Sequence, residues 1–359
     1  MNRQERFLTA VNIQEPDRVP MFDFLFQQPL YEALIGRKPS AYNGVDAVQL
    51  ALALNHDGVW LPFGGFTGLQ PTYLADNVYV DEWGTTFKNT GASWPIDAPI
   101  DYPIKTREDL RKYQLPDPTL PGRTAEIDAA RQMDNGDIAL LGGVNGPLTT
   151  AWFLMGYETI AYSLYDDPEF FTSVLKLSNE YFMEAARRSV EAGCVAMWMS
   201  EDLGDSTRPF FRPSLYRKYL WPFEAELADF IANLGVPVLF HCDGQIWDLM
   251  PDLVQLKLSA IHPLQRTANM DLRRFKELYG KRLCIIGNIN SSATLPYGTP
   301  EEVAAEVREA IEIAAPGGGY ILASDHSLHD GISVENCLTM MNTCLEYGSA
   351  IYQKRPASE

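Results

Sequence analysis

Short apolar runs rich in β-branched residues recur along the chain, and many are followed by stretches whose apolar positions fall three and four apart. The first pattern suits a strand buried on both faces and the second an amphipathic helix, so their alternation predicts βα units around a parallel sheet. Eight such runs stand out, at 18–24, 58–61, 138–142, 195–199, 236–241, 259–262, 283–287 and 320–323. Helices are predicted over 213–234, 271–279 and 300–314, each opening on a Pro or Asp suited to a first turn. Eight strands is a count at which a parallel sheet closes on itself, so the fold expected is an α/β TIM (β/α)8 barrel. No Gly/Ser/Pro-rich or charged linker separates two blocks, which predicts a single domain over 1–359. The surplus length has a place. The alternating VYVDEWGTTFK within 73–94 predicts a β-hairpin inserted after the second strand, and 99–121 reads as an irregular excursion.

Charge narrows the partners. With 47 acidic against 29 basic residues, a net charge of -18, the chain lacks the clustered Lys and Arg that nucleic acid or an anionic membrane surface requires. An acidic balance leaves a metal ion, a cationic small molecule or a basic face on a partner protein as what it would serve. The first twenty residues carry charges throughout, unlike a signal peptide, and no later run reaches the length of a membrane span, so a cytoplasmic protein is expected. The five cysteines, Cys194, Cys242, Cys284, Cys337 and Cys344, are odd in number and dispersed, which argues for buried thiols over a disulfide framework. The sequence leaves room for a homo-oligomer without fixing one.

In a closed parallel barrel, catalytic groups sit where strands end and βα loops begin. The ends here are polar: Asp23 after the first run, Asn145 after the third, Glu201 and Asp202 after the fourth, then His241, Cys242 and Asp243, His262, Asn288 and Asn290, and Asp325 and His326. Three of only five histidines thus fall at strand ends. Imidazole and carboxylate are zinc ligands, and a catalytic zinc site takes three of them with one position open, so His241, Asp243, His326 and His262 are the candidate metal set. Side chains alternate along a strand, which turns Cys242 away if His241 points into the mouth. Asp325 would suit a partner that orients a ligating imidazole. Glu201, Asp202 and Asn288 are the candidate catalytic residues, the carboxylates for proton transfer. Asp23, Phe24, Phe63, Asn145 and Trp198 are candidate substrate contacts, with the loop PFGGF walling an apolar pocket. The plain alternative stands beside each: a strand-end histidine is also a hydrogen-bonded core residue, and most clustered aromatics are core. His56 and His329 are read that way.

RQERFLTAVN followed by PDRVPMFDF, the VDEWGTTFK segment, GGVNGP, SEDLGD, RPSLYRKYLWP, VLFHCDGQI, HPLQ, LCIIGNIN and GGYILASDHSL occur in an order that resembles the uroporphyrinogen decarboxylase superfamily over nearly the whole chain. The resemblance implies a TIM barrel. Decarboxylases of that superfamily hold a polycarboxylate tetrapyrrole with an arginine-rich segment after the first strand, where this chain reads MFDFLFQQ, so the decarboxylase activity is not what the resemblance favours. Its other branch comprises zinc-dependent methyltransferases that pass methyl groups between a small molecule and a corrinoid protein. Thiol-acting members carry His-x-Cys-Gly at the fifth strand and a Cys at the eighth; here the positions read His241, Asp243 and His326, a change from soft thiolates toward harder donors. O-demethylases of methoxylated aromatics are similar through a Glu-x14-Cys-x20-His pattern, matched in spacing by Glu226, His241 and His262.

The function so implied is metal-dependent methyl transfer from a methoxylated or methylated small molecule to a corrinoid carried by a partner protein. Two alternatives stay open. One is a decarboxylase or lyase on the same fold, which would turn over without a corrinoid protein; the other is a catalytically silent small-molecule binding protein.

Overall fold

The computed structural model describes residues 1–91, 94–134 and 136–353. Its strands, in chain order, are β1 (Leu25–Phe26), β2 (Gly58–Pro62), β3 (Thr72–Ala75), β4 (Val78–Val80), β5 (Thr86–Lys88), β6 (Ala98–Asp101), β7 (Ala139–Asn145), β8 (Ala196–Ser200), β9 (Val238–His241), β10 (Ala260–His262), β11 (Cys284–Ile289), β12 (Tyr320–Ser324) and β13 (Leu328–His329). Seven of them, β2, β7, β8, β9, β10, β11 and β12, lie side by side in that order, each parallel to its neighbour. The predicted first run supplies the eighth stave. Leu322 N donates to Pro20 O at 2.9 Å and Phe22 N to Leu322 O at 3.0 Å on one side, and Asp57 N donates to Met21 O at 2.8 Å on the other, which closes the barrel. Proline at position 20 brings no N–H to the ladder, and the stave exchanges only these few bonds. Above it, β1 pairs in parallel with β13, so the chain's two ends tie the same seam.

The barrel is filled by side chains and is not a pore. Phe22 packs on Trp198 with ring centroids 4.8 Å apart, and Phe24 stands edge-on to Trp60 at 5.3 Å and to Trp198 at 5.0 Å. Glycine makes the room: a Cβ at Gly143 would lie 2.5 Å from the indole nitrogen of Trp60. At the opposite end, the buried Asp57 carboxylate accepts from Arg6 at 2.7 Å, from Arg18 at 2.9 Å and from the Met21 amide at 2.8 Å. Burial pushes its pKa up, while Arg18, Arg6 and the amide pull back. Removing one member of such a buried set strands the remaining charge, at about 3–5 kcal/mol.

The predicted helices are present, with one interruption. Helix 213–234 is broken by a π-helical turn at Tyr216–Leu220 before the α-helix Trp221–Asn233 resumes. Pro222 has no N–H to continue the regular ladder there. Asp271 caps Leu272–Tyr279 through the Arg274 amide, and Thr299 with Glu302 forms a capping box on Pro300–Ala314.

The insertion after β2 is larger than a hairpin. The β4–β5 pair carries VYVDEWGTTFK as expected, and β3 and β6 extend it to a four-stranded antiparallel sheet in the order β3-β4-β5-β6. Residues 92–93 of the predicted insertion lie outside the described residues. Segment 99–121 is more ordered than expected, since it contributes β6 and the helix Arg107–Lys112. The sheet is fastened to the body: Trp83 stacks on Phe182 at 5.6 Å and 13°, the Arg123 guanidinium pairs with Glu82, and Thr85 Oγ1 donates to Phe153 O at 2.6 Å. Among the described residues no helix is long and apolar enough to cross a membrane.

His56 is fully buried, with neither ring nitrogen hydrogen-bonded. Burial, with Arg18 adding to it, holds its pKa down to about 3. The unfolded chain, with an ordinary imidazole near 6.5, binds a proton that the folded chain refuses, so stability falls as pH drops from about 6.5 toward 3, by up to about 1.4 kcal/mol per unit. Denaturant titrations of H56L at several pH values are expected to show a shallower acid loss than the wild type; curves that stay parallel would contradict this.

Candidate active site

Above the aromatic filling, between the strand ends and the inserted sheet, lies a cavity of about 400 Å³. Its inner end is lined by Ser200, Glu201, Asp202, His241, Asp243 and His326. Aromatic rings make its walls: Phe24 and Trp60 from the barrel, Phe63 and Phe66 from the loop after β2, Tyr79, Trp83 and Phe87 from the insertion, Trp152, Phe153, Tyr181 and Phe182 from the helical layer. The insertion is therefore the outer wall of the cavity.

Parallel register brings the imidazoles together. His241 and His262 are direct partners on β9 and β10, so they share one face, and their Nδ1 atoms lie 2.7 Å apart. His241 Nε2 turns the other way, 3.8 Å from Asp243 Oδ2, and His326 Nε2 is 3.1 Å from that same oxygen. Asp202, His241 and Asp243 each offer a ligand atom within 4.8 Å of the others. Asp243 Oδ1 is buried with no hydrogen-bond partner, the state of an oxygen kept for a ligand. Burial works to raise Asp243, but His326 and His241 win and hold it below the usual carboxylate range. His326 is held up to about 9, its burial outweighed by Asp243. Burial raises Asp202. His326 Nδ1 lies 2.8 Å from Ser327 Oγ.

Other candidates take different places. Phe63 and Asn145 line the cavity with Phe24, but Asp23 and Trp198 are buried beneath it. Asp23 accepts from Ser324 N and Oγ at 2.7 and 2.8 Å, and burial pushes it up to about 7. Asn288 is buried and donates to Leu264 O at 3.1 Å, a bond that holds a loop outside the cavity lining. Asp325 accepts from the Ser291 amide and hydroxyl and from the Arg266 amide, so it braces two loops and orients no histidine. Cys242 is turned away, with Leu203 N donating to its sulfur at 3.3 Å. Glu226 pairs with Asn179 at 2.8 Å in the helical layer, away from the histidines that share its spacing pattern. His329 is held by Ser291 O and Gly331 N, a structural role.

The family model for Uroporphyrinogen decarboxylase (URO-D) matches residues 96–347, more than half of the chain. The chain belongs to the uroporphyrinogen decarboxylase family. Its relatives divide between two activities. Methylcobamide:CoM methyltransferase MtaA of Methanosarcina barkeri is 24% identical over 204 residues, 56% of this chain. The chain spans only 58% of the length of that relative. Uroporphyrinogen decarboxylase of Azoarcus sp. (strain BH72) is 22% identical over 257 residues, 68% of this chain and 69% of that one. A solved structure named as a methyltransferase from Methanosarcina mazei superposes with a TM-score of 0.78 at 21% identity, covering 97% of this chain and 99% of that one. That likeness carries the fold, a barrel of the family's kind.

At the inner end of the cavity Glu201 is one of a pair of buried acids. Glu201 spends both oxygens on the helix that starts at Pro147, accepting from Leu148 N, Thr149 N and Thr149 Oγ1 at 2.7 to 2.8 Å. The orphan amides of a helix N-terminus favour a negative charge there. Gly146 allows the approach, since a Cβ at that position would fall 2.2 Å from Glu201 Cγ. Glu224, on the helix Trp221–Asn233, is fully buried near Glu201, and neither of its oxygens has a hydrogen-bond partner. Two neighbouring buried carboxyls do not both ionise readily, so burial and the nearby Glu201 together raise Glu224 well above its ordinary value. The pattern held a signal for it: Leu220, Glu224, Leu227, Ala228 and Ile231 form one buried helical stripe with a single acid in it.

A carboxyl whose folded pKa is raised contributes stability at low pH that is lost as pH rises above its unfolded value. E224Q keeps a donor toward Glu201 without that proton. It is expected to unfold at higher temperature than the wild type at pH 8 and to lose the advantage near pH 4; an unchanged or lower melting temperature at pH 8 would contradict a raised Glu224.

Proposed function

We propose that this chain moves a methyl group from a methoxylated small molecule to a corrinoid carried by a partner protein, with a divalent metal, zinc in the first instance, at the inner end of the cavity. One observation carries the reading: His241 Nε2 and His326 Nε2 both face Asp243 Oδ2, at 3.8 and 3.1 Å, where the aromatic cavity meets the strand ends. The donor set fits a metal, since Asp243 Oδ1 is buried and unpartnered and two imidazoles flank the same carboxylate. His241, Asp243 and His326 would be the three protein ligands, leaving an open position for substrate oxygen. When bound, the metal supplies Lewis acidity toward that oxygen. Methyltransferases among the relatives support methyl transfer as the class of chemistry.

The chain's own residues do the rest. The aromatic walls bury the body of the donor and exclude water, which strengthens each charge interaction at the inner end. Asp202, raised by burial and 3.4 Å from the Asp243 amide, holds the proton that the departing oxygen needs. Glu201 is tied to the helix N-terminus and serves as a brace for Asp202 and Thr149. In the transfer the oxygen–methyl bond breaks with its electron pair left on oxygen, and the pair for the new bond to carbon comes from the reduced corrinoid of the partner.

Among the described residues lining the cavity there is no Lys or Arg, while Asp81, Asp97, Asp202 and Asp243 are present. With positive charge confined to His326 and the metal at the inner end, a carboxylate on the body of the donor would face Asp81 and Asp97 with no Lys or Arg beside it, so an uncharged aromatic methyl ether is the donor that fits, and a polycarboxylate porphyrinogen is opposed. With a reduced corrinoid protein as acceptor, a methoxybenzene bearing a neutral ring substituent is expected to react at least tenfold faster, in kcat/KM, than its carboxylate analogue. D243N is expected to lower the rate at least a hundredfold with the fold intact. Release of carbon dioxide from a carboxylated substrate without any corrinoid protein would overturn the reading in favour of a decarboxylase.

A further inference from the structure

His262 was expected among the metal ligands, and its position is different. It is 1% exposed, one strand over from His241, and its ring is hemmed by Trp198, Phe24 and Phe22 at centroid distances of 5.1, 5.4 and 6.4 Å. Of its two nitrogens, Nδ1 faces His241 Nδ1 at 2.7 Å and Nε2 is buried with no hydrogen-bond partner. His262 is not among the residues lining the cavity. Nor does His262 belong to the group of Asp202, His241 and Asp243 whose ligand atoms lie within 4.8 Å of one another.

We infer that His262 is a positioning residue: a buried, neutral imidazole that accepts a hydrogen bond from His241 Nδ1–H and so leaves the lone pair of His241 Nε2 facing the metal position. This rests on the metal site proposed above. A neutral imidazole has one N–H and one bare nitrogen, so one partner in the Nδ1 to Nδ1 contact donates and the other accepts. If His262 donated, His241 would carry its proton on Nε2, toward Asp243, where it would block a metal. If His241 donates, Nε2 is bare and ready, and the leftover His262 Nε2–H points among aromatic rings. Ligating histidines ordinarily hand their second N–H to a carboxylate, a carbonyl or water. Here the acceptor is another imidazole, and burial among rings disfavours its charged form, which would have no acceptor to offer. His326 has the corresponding arrangement in Ser327 Oγ, 2.8 Å from its Nδ1.

The assignment separates three variants by metal affinity, read as zinc competition against a chromophoric chelator, with cobalt(II) absorption reporting the ligand set. H262N retains an acceptor oxygen and is expected to keep zinc affinity within a fewfold of wild type and an unchanged cobalt spectrum. H262F retains the ring volume but has no acceptor; its affinity is expected to fall about ten- to a hundredfold. H241A is expected to lose the cobalt spectrum altogether. Thermal melts of the metal-free proteins show whether each variant folds. Wild-type affinity in folded H262F would overturn the inference, and so would loss of the cobalt spectrum in folded H262N, which would make His262 a ligand. A wild-type protein that takes up neither zinc nor cobalt would overturn the metal reading itself, and this inference with it.

Discussion

Everything at the mouth depends on parallel register in a closed barrel. Neighbouring strands at one level turn the same face inward, so pairing Ser200 with His241 and His241 with His262 commits all three to the interior. The same alternation sends Cys242 outward and returns Asp243 to the side of His241. A shift of one residue would exchange the two sets and replace imidazole and carboxylate by a thiol that the helices now cover. What holds the register is partly the fit of large rings to small neighbours: the Trp60 indole fills the space that Gly143 leaves, and Phe24 wedges between Trp60 and Trp198.

The barrel seam and the lower charge network guard that geometry from the far end. Met21 bridges to Leu322 and accepts from the Asp57 amide, while the Asp57 side chain gathers Arg6, Arg18 and the Met21 amide. One carboxylate thereby fixes the first stave, the second strand and the N-terminal helix together. The upper end is fixed differently, by the Arg123–Glu82 pair and the stacking of Trp83 on Phe182, which seat the inserted sheet as a wall. That wall is aromatic through Tyr79, Trp83 and Phe87 and also brings Asp81 and Asp97 to the cavity, while its base carries Asp202 and Asp243.

Local pattern made the frame legible. Eight apolar runs, their order and three helices opening on Pro or Asp are properties of neighbours in sequence, and the polar residues after each run follow from the barrel rule alone. Partners were not legible, because they are separated by tens to hundreds of residues. Nothing near Asp325 says that it holds Ser291 and Arg266, and nothing near Asp23 points to Ser324. The insertion was read short because β3 is wholly exposed and β6 contains a proline, so neither shows the alternation of a half-buried strand. Glu226 matches the resemblance only in spacing, and spacing on a helix does not say which face a residue takes; Glu224, two positions earlier, is the one turned inward. Strand-end position pointed to the histidines, and only the packing of Trp198, Phe24 and Phe22 around His262 separates it from its register partner His241 at the cavity.

The most direct test of the account is elemental analysis of the native protein and of H241A and D243N, purified without added metal and again after zinc is offered. The account predicts close to one divalent metal per native chain and a large loss in both folded variants. A native chain that holds no metal even when zinc is supplied would contradict it.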